Sequence, residues 1–435
     1  MTQSTRRTFI KQSGTVAATT LALATSPMRA YGANERVTVG VIGCGGQGNA
    51  HLRSFAAAPA AEIVCVCDPD DRRRRAAREK SGVKCDVVDL RHILDNKSID
   101  AISIATPDHW HAPAAILACE AGKHIYVEKT CTHNIREGRL LTEAARRNKC
   151  VVQQGTQCRS APFMIEAMKR LRDGIIGDVL AAKAWNIQRR SDIGHAKPSN
   201  PPPGLDYDMW VGPAPMVPYQ DNRLHGNWHW WYNFGTGGIG NDGVHDLDYA
   251  VWGLGVDVHP SGVFGPGGMY VARGDQEFPD TQTVVFEYPG DGKAGNRRML
   301  TYEQRLWSTN YPYNVDSGVE FYGTKGQLFL SRRAKAQLLG ERNKRLDADL
   351  PLRAPDVTDH VNDFVDAVRH SRRPNADIEI ANRTAMLVHT GNIATRVGRS
   401  LRFDSKQEIF VGDDEANKFI TGAYRKGHWA VPKGV

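Results

Sequence analysis

Gly43, Gly45 and Gly48 stand in the spacing G-x-G-x-x-G within "VGVIGCGGQG". A β-branched run precedes them and a helix-like stretch follows, so the turn can bring its backbone against an anionic diphosphate at a helix N-terminus. The first glycine permits the tight turn, the second admits the phosphates, with Gly46 and Gln47 beside it, and the third lets helix press on strand. Asp68 closes the next apolar run, "EIVCVCD", twenty residues after Gly48, where a carboxylate accepts hydrogen bonds from ribose hydroxyls. The spacing therefore predicts a dinucleotide seat, and NAD over NADP, because the Asp68 charge repels a 2′-phosphate. Arg72 to Arg75 follow in "DPDDRRRRAA". One guanidinium there can receive that phosphate and keeps NADP open; a solvated first helical turn accounts for the others.

"ATPDHWHAPAAILACEAGKHIYVEKT" sets Thr106 and Pro107 at the end of one strand and Glu128 and Lys129 at the end of the next. In an open parallel sheet the ligand crevice lies at these carboxyl ends, which displays Lys129 to the nicotinamide half of a dinucleotide. An ammonium there can orient a substrate hydroxyl and assist in moving its proton. His109 and His111 follow the strand end and are placed over the nicotinamide, although helix-start packing accounts for at least one of them. "GNWHWWYNFG" gathers Trp228, Trp230, Trp231 and Tyr232, whose faces suit the C–H surfaces of sugars. Trp228 and Tyr232 are the candidates for substrate contact, and core packing claims the rest.

Strands and helices alternate from Glu35 to about residue 155, which argues for a doubly wound parallel sheet. Beyond it, "DVLAAKAWNIQRR", "TQTVVFEYPG", "RRMLTYEQRLW" and "GVEFYGTKGQLFLS" are strand-like runs separated by turns. They predict a large, mostly antiparallel open sheet. The Pro- and Gly-rich "GHAKPSNPPPGLDYDMWVGPAP" reads as loop, and two helical patterns near the end return toward the first domain. The expectation is an α/β chain: a Rossmann domain over 34–155 and an α+β substrate and oligomerisation domain over 156–435.

Residues 1–33 read as a leader. Arg6 and Arg7 form a twin-arginine n-region, an apolar stretch runs from Gly14 to Ala24, and small residues near Ala30 to Ala33 offer a cleavage site. This predicts export, to the periplasm or its equivalent, through the twin-arginine machinery. Of the formal charge of +8, four cations belong to the leader, Arg6, Arg7, Lys11 and Arg29, and +4 remains, so nothing calls for a nucleic-acid partner. No apolar run is long enough for a stable membrane span. The eight cysteines fall between Cys44 and Cys158 without a CxxC pair. They read as small core hydrophobes rather than a disulfide framework, and no HExxH or comparable cluster predicts a metal site.

The motifs "GVIGCGGQGNAH", "ATPDHWHAPAAILACEAGKHIYVEKT", "GGIGNDGVHDLDYAVWGLG" and "HVNDFVDAVRHSRRPNADIE" resemble, in this order, the Gfo/Idh/MocA family of glucose-fructose oxidoreductase, inositol dehydrogenase and related sugar dehydrogenases. The resemblance implies a catalytic lysine at Lys129, with Thr130 where the family usually has proline. It also implies an acid/base at His245, with Asn241 where the family usually has aspartate and Asp242 next to it. Asparagine can hold a hydroxyl but cannot take its proton, so that task falls to His245. Asp248, three residues on, is placed to steer His245 or reach Lys129, and Arg159 matches a family arginine near the substrate, although a salt bridge accounts for it equally well. A dimer or tetramer is implied as well.

An exported enzyme finds no free NAD and must keep its own. The first reading is therefore an exported NAD(P)-dependent oxidoreductase of a sugar, sugar derivative or polyol with retained cofactor. An NAD-dependent glycosidase or lyase working through transient C3 oxidation is the second, and a carbohydrate-binding protein that has lost turnover is the third.

Overall fold

The first strand, β1 (Val37–Ile42, VTVGVI), is buried at five of its six positions. A strand apolar on both faces needs helices on both sides. The succession supplies them: α1 (Gly46–Ala56), β2 (Ala61–Cys67), α2 (Asp71–Ser81), β3 (Cys85–Val87), α3 (Arg91–Asp95), β4 (Ala101–Ile104), α4 (Asp108–Glu120), β5 (His124–Val127), α5 (Ile135–Arg147) and β6 (Val152–Gln154). The strands pair in parallel in the order β3-β2-β1-β4-β5-β6. Chain direction around the sheet reverses between β1 and β4, so the connections leaving their carboxyl ends part and open a crevice. This is a computed structural model, and it describes residues 35–289 and 297–435. The leader, and with it the cleavage and export reading, lies outside the described residues.

The second region begins with α6 (Pro162–Arg172), β7 (Val179–Ile187), α7 (Tyr207–Val211) and α8 (Val244–Leu254). Strands β8 (Gly262–Phe264), β9 (Gly267–Gly268), β10 (Thr281–Pro289), β11 (Arg297–Arg305), β12 (Ser317–Gly323), β13 (Gly326–Ser331), β14 (Lys335–Leu339) and β15 (Arg345–Leu346) follow. The chain ends with α9 (Val357–Arg369), α10 (Ile378–Val397), β16 (Leu401–Asp404), β17 (Ile409–Phe410) and α11 (Asp414–Asn417). The sheet runs β15-β14-β13-β12-β7-β11-β10-β8-β16-β17, with β9 beside β10. It is antiparallel except where β11 lies parallel to β7. Alternation is plain along β10 and β11: Val284, Phe286, Leu300 and Tyr302 are fully buried against α8 and α10, while Glu287 and Met299 face outward. Burying a side chain of this size stabilises by roughly 1.5–3 kcal/mol. The outer face keeps Phe264, Met299 and Tyr322 exposed.

The two regions share a core. Helix α9 returns to the first sheet, where Phe364 meets Phe55 and Tyr126 edge-on. The Pro- and Gly-rich stretch read as loop contains one short helix, α7, capped by the Asp206 side chain, which accepts from Met209 N. No helix among the described residues is long and apolar enough to cross a membrane.

The reading of all eight cysteines as core hydrophobes is corrected at two of them, because Cys65 and Cys85 form a disulfide. They are in-register partners on neighbouring parallel strands, β2 and β3, with Cα atoms 4.5 Å apart. Twenty residues apart in the chain, the two are made neighbours by the β2–β3 register. The other six are free and buried.

Candidate active site

The crevice predicted from the strand ends is a cleft of about 360 Å³, lined by the glycine turn, Asp68, Thr106, Pro107, Glu128 and Lys129 from the first sheet. Its opposite wall carries Trp210, His225, Trp228, His229 and Asn241 from the second region. At Gly43, φ is +89° and an added Cβ would lie 2.5 Å from Ala105 O. At Gly48 it would lie 1.8 Å from Gly43 O, so α1 can pack on the turn only through a glycine. Gly48 thus supports the cleft without lining it, whereas Gly43, Gly45, Gly46 and Gln47 line it.

Asp68 Oδ2 accepts from Cys44 N (2.7 Å) and Oδ1 from Asp70 N (2.8 Å). These bonds fix the carboxylate at the cleft and leave each oxygen further acceptor capacity. Burial raises the Asp68 carboxyl, with the two amides and Arg73 opposing the rise. Of the four consecutive arginines only Arg73 lines the cleft, beside Gly45. Arg74 is taken up by Asp71 and Asp86. Thr106 Oγ1 is buried at the cleft without a protein partner. A glycine turn closed to a Cβ at Gly43 and Gly48, an anchored ribose-type carboxylate and an unpartnered hydroxyl together fit a dinucleotide.

Glu128 stands at the end of β5 in a buried network. His51 Nε2 lies 2.9 Å from its Oε1, Gln47 Nε2 donates to the same oxygen (2.9 Å), and His51 Nδ1 meets Ser103 Oγ (2.7 Å). Burial pushes the Glu128 carboxyl up, but the His51 hydrogen bond and the charges of His51 and Lys129 outweigh it and hold the group down to about 2. A depressed carboxylate contributes stability above its ordinary value of 4.5 and loses it as the pH falls through the folded value. Acid unfolding of the native protein is therefore expected to begin below about pH 4.5, and Glu128→Gln to flatten that limb in denaturant titrations at stepped pH.

Lys129 Nζ donates to Asn241 O at 2.6 Å, joining the two walls of the cleft. Asn241 belongs to a π-helical turn, Ile239–Gly243, that runs straight into α8. Its side chain donates to Asp242 Oδ2 (3.1 Å), which Arg190 also holds, while Arg332 lies 3.7 Å from Oδ1. Burial would raise the Asp242 carboxyl, but Lys129, Arg190 and Arg332 bring it below the usual range. Asp242 is thus occupied by arginines rather than offered to the cleft. His245 follows one helical turn after Asn241, is 8 % exposed, and makes no protein hydrogen bond among the described residues. Burial, then the Arg332 and Lys129 charges, pull its imidazole well below the ordinary value. It is not part of the cleft lining.

Three further assignments are corrected. Arg159 and Asp248 bind each other in a buried ion pair (2.8 Å), and Thr384 donates to Asp248 (2.9 Å). The ion pair ties the turn Gln157–Ser160 to α8, Thr384 adds α10, and none of the three lines the cleft. Tyr232 also lies outside it, under the Arg396 guanidinium, 4.1 Å from the ring centroid. Of the two histidines set over the nicotinamide, His111 lines the cleft, and His109 packs between Trp210 and Phe234.

Sequence reasoning missed His225, His229 and Trp210 in the lining. His229 stood inside the quoted aromatic run, but a histidine among tryptophans carries no local sign of facing a cleft. Burial, then Arg190 and Lys129, bring it down to about 4, so at neutral pH it offers an uncharged ring beside Lys129.

Comparison with known proteins agrees with this architecture. Residues 37–156 match the model of the oxidoreductase family, NAD-binding Rossmann fold, and residues 181–263 and 314–431 match that family's C-terminal alpha/beta domain. The chain is 26% identical over 299 residues to scyllo-inositol 2-dehydrogenase (NAD(+)) of Bacillus subtilis (strain 168), covering 68% of this chain and 74% of that protein. It is 31% identical over 160 residues, 35% of each chain, to a glycosyl hydrolase family 109 protein of Saccharopolyspora erythraea. A solved levoglucosan dehydrogenase in complex with NADH shares the fold, with a TM-score of 0.66 at 20% identity over 84% of this chain and 99% of that one. With the glycine cradle, the anchored Asp68 and the Lys129 strand end in their places, the chain belongs to the Gfo/Idh/MocA family of NAD-dependent oxidoreductases.

Proposed function

We propose that this protein is an exported oxidoreductase that oxidises a CH–OH group of a sugar, sugar derivative or polyol and keeps its NAD bound between half-reactions. The observation that carries the reading is the Lys129 ammonium, held at 2.6 Å by the Asn241 carbonyl where the two walls of the cleft meet. A lysine has three donors, and that contact uses one. The remaining two can orient a substrate hydroxyl. His245, buried one helical turn after Asn241 and outside the cleft lining, is the group to which the family resemblance assigns the hydroxyl proton. Bound NAD supplies the two-electron acceptor. Trp228 and the neutral His229 give the sugar an apolar face and an uncharged polar neighbour. Export rests on the Arg6–Arg7 leader, and the exposed row of Phe264, Met299 and Tyr322 is where we place subunit association.

The likeness to a glycosyl hydrolase family 109 protein favours one further reading, in which the same acid/base pair removes a proton next to a transient carbonyl and a glycosidic bond breaks with no net oxidation. One experiment separates the two. The purified protein is denatured in acid to measure its nucleotide, then fresh protein is mixed with free sugars, polyols and glycosides while the reduced-nicotinamide absorbance is followed. A lasting band with one substrate class is the expected result, and a transient band with cleavage supports the second reading. Dinucleotide-loaded protein that gives no band and no cleavage with any of them overturns both.

A further inference from the structure

The wall facing the ribose carboxylate comes from the second region. Residues 204–229 leave it and return, giving the cleft Met209, Trp210, His225, Trp228 and His229. At the Asp68 end they are tied to the turn that follows β2. Asp71 N donates to Gly204 O (2.9 Å), Asp206 N donates to Pro69 O (3.0 Å), and Leu205 forms an antiparallel bridge with Asp70. His225 Nε2 then meets Asp70 Oδ2 at 2.9 Å. Both passes of the segment are therefore anchored within three residues of Asp68.

Midway, Trp210 O accepts from Trp110 Nε1 (3.1 Å) and His109 Nε2 (3.2 Å). Gly212 rests on the Trp110 ring so closely that a Cβ would meet it at 2.1 Å. The C-terminal tail lies across this from outside. Arg425 N donates to Pro213 O (2.8 Å), its guanidinium pairs with Asp208 (2.8 Å), and Trp429 packs on Trp110.

We propose that residues 205–229 are a clamp that holds the dinucleotide in the cleft through successive turnovers, with the tail as its fastening. The proposal rests on the cleft being the NAD site. A dinucleotide whose ribose sits on Asp68 lies between that carboxylate and the segment carrying Trp210 and His225. Its departure requires the contacts with Pro69, Asp70 and Asp71 to part first. Release is then limited by opening of the segment and not by the strength of the phosphate cradle alone.

The test measures release of bound dinucleotide by chase with labelled NAD, without any sugar, so it is independent of turnover. His225→Ala removes one anchor and is expected to speed release about tenfold or more. The double variant Asp70→Cys/Leu205→Cys places two thiols on bridge partners, a separation a disulfide can span. Its oxidised form is expected to release dinucleotide about tenfold more slowly than its reduced form, a difference the native protein, whose Cys65–Cys85 bond meets the same reductant, does not show. Since the two forms share one sequence, the comparison stands even if His225→Ala folds poorly. Release rates within about twofold of each other in both comparisons overturn the clamp while leaving the cofactor site intact. Protein that binds no dinucleotide overturns the cofactor site and the clamp together.

Discussion

Lys129→Met is expected to lower kcat/KM for the oxidised sugar or polyol by about 10³-fold while leaving the bound dinucleotide in place. Positioned proton transfer contributes about 10²–10⁴ to a rate, and tenfold corresponds to about 1.4 kcal/mol of barrier. Methionine keeps the length and apolar stem of lysine and removes only the ammonium. The price in stability is the Nζ–Asn241 O hydrogen bond, about 1 kcal/mol. The glycine turn and Asp68 are untouched, so nucleotide content after gel filtration should equal that of the native protein. Native turnover in this variant would remove Lys129 from the mechanism. Loss of nucleotide together with turnover would instead make Lys129 a binding residue.

The second large effect concerns Gly48→Ala. The added methyl would sit 1.8 Å from the Gly43 carbonyl, a backbone atom with no freedom to turn aside. Gly43 is itself confined, at φ +89° against the Ala105–Thr106 backbone. Relief therefore requires α1 to move off β1, which opens the cradle. A destabilisation of about 3 kcal/mol or more is expected, together with loss of retained nucleotide. Gly46→Ala is the matched comparison, because a Cβ there meets nothing within 4 Å. At the start of α1 it should raise stability by up to about 1 kcal/mol. Denaturant midpoints of the two variants check both values, and equal midpoints would show that the turn yields more readily than its contacts imply.

The parts of the site visible in the sequence are those fixed by local geometry. Gly43, Gly45, Gly48 and Asp68 declare themselves because a strand, a turn and a helix of ordinary length set their spacing. Lys129 does so because strand ends in a parallel sheet face one side. Residues that depend on how distant segments meet were not visible. Asp248 shares a helix face with His245 by spacing, but Arg159 and Thr384 claim it from other elements. Cys65 and Cys85 are twenty residues apart, and only the β2–β3 register makes them neighbours. His225, His229 and Trp210 lie on a segment without periodicity, where orientation is decided by contacts with Asp70, Trp110 and the tail. The resemblance supplied His245 and Asn241; the structure puts Asn241 in the cleft wall, bonded to Lys129, and leaves His245 outside the lining.

Trp110, Trp210 and Trp228 all face the same cleft. Indole emission overlaps the absorption of a reduced nicotinamide ring and not that of the oxidised one. A protein so built carries its own optical gauge: intrinsic fluorescence dims when the bound dinucleotide is reduced and recovers when it is reoxidised, with no label and no free coenzyme in solution.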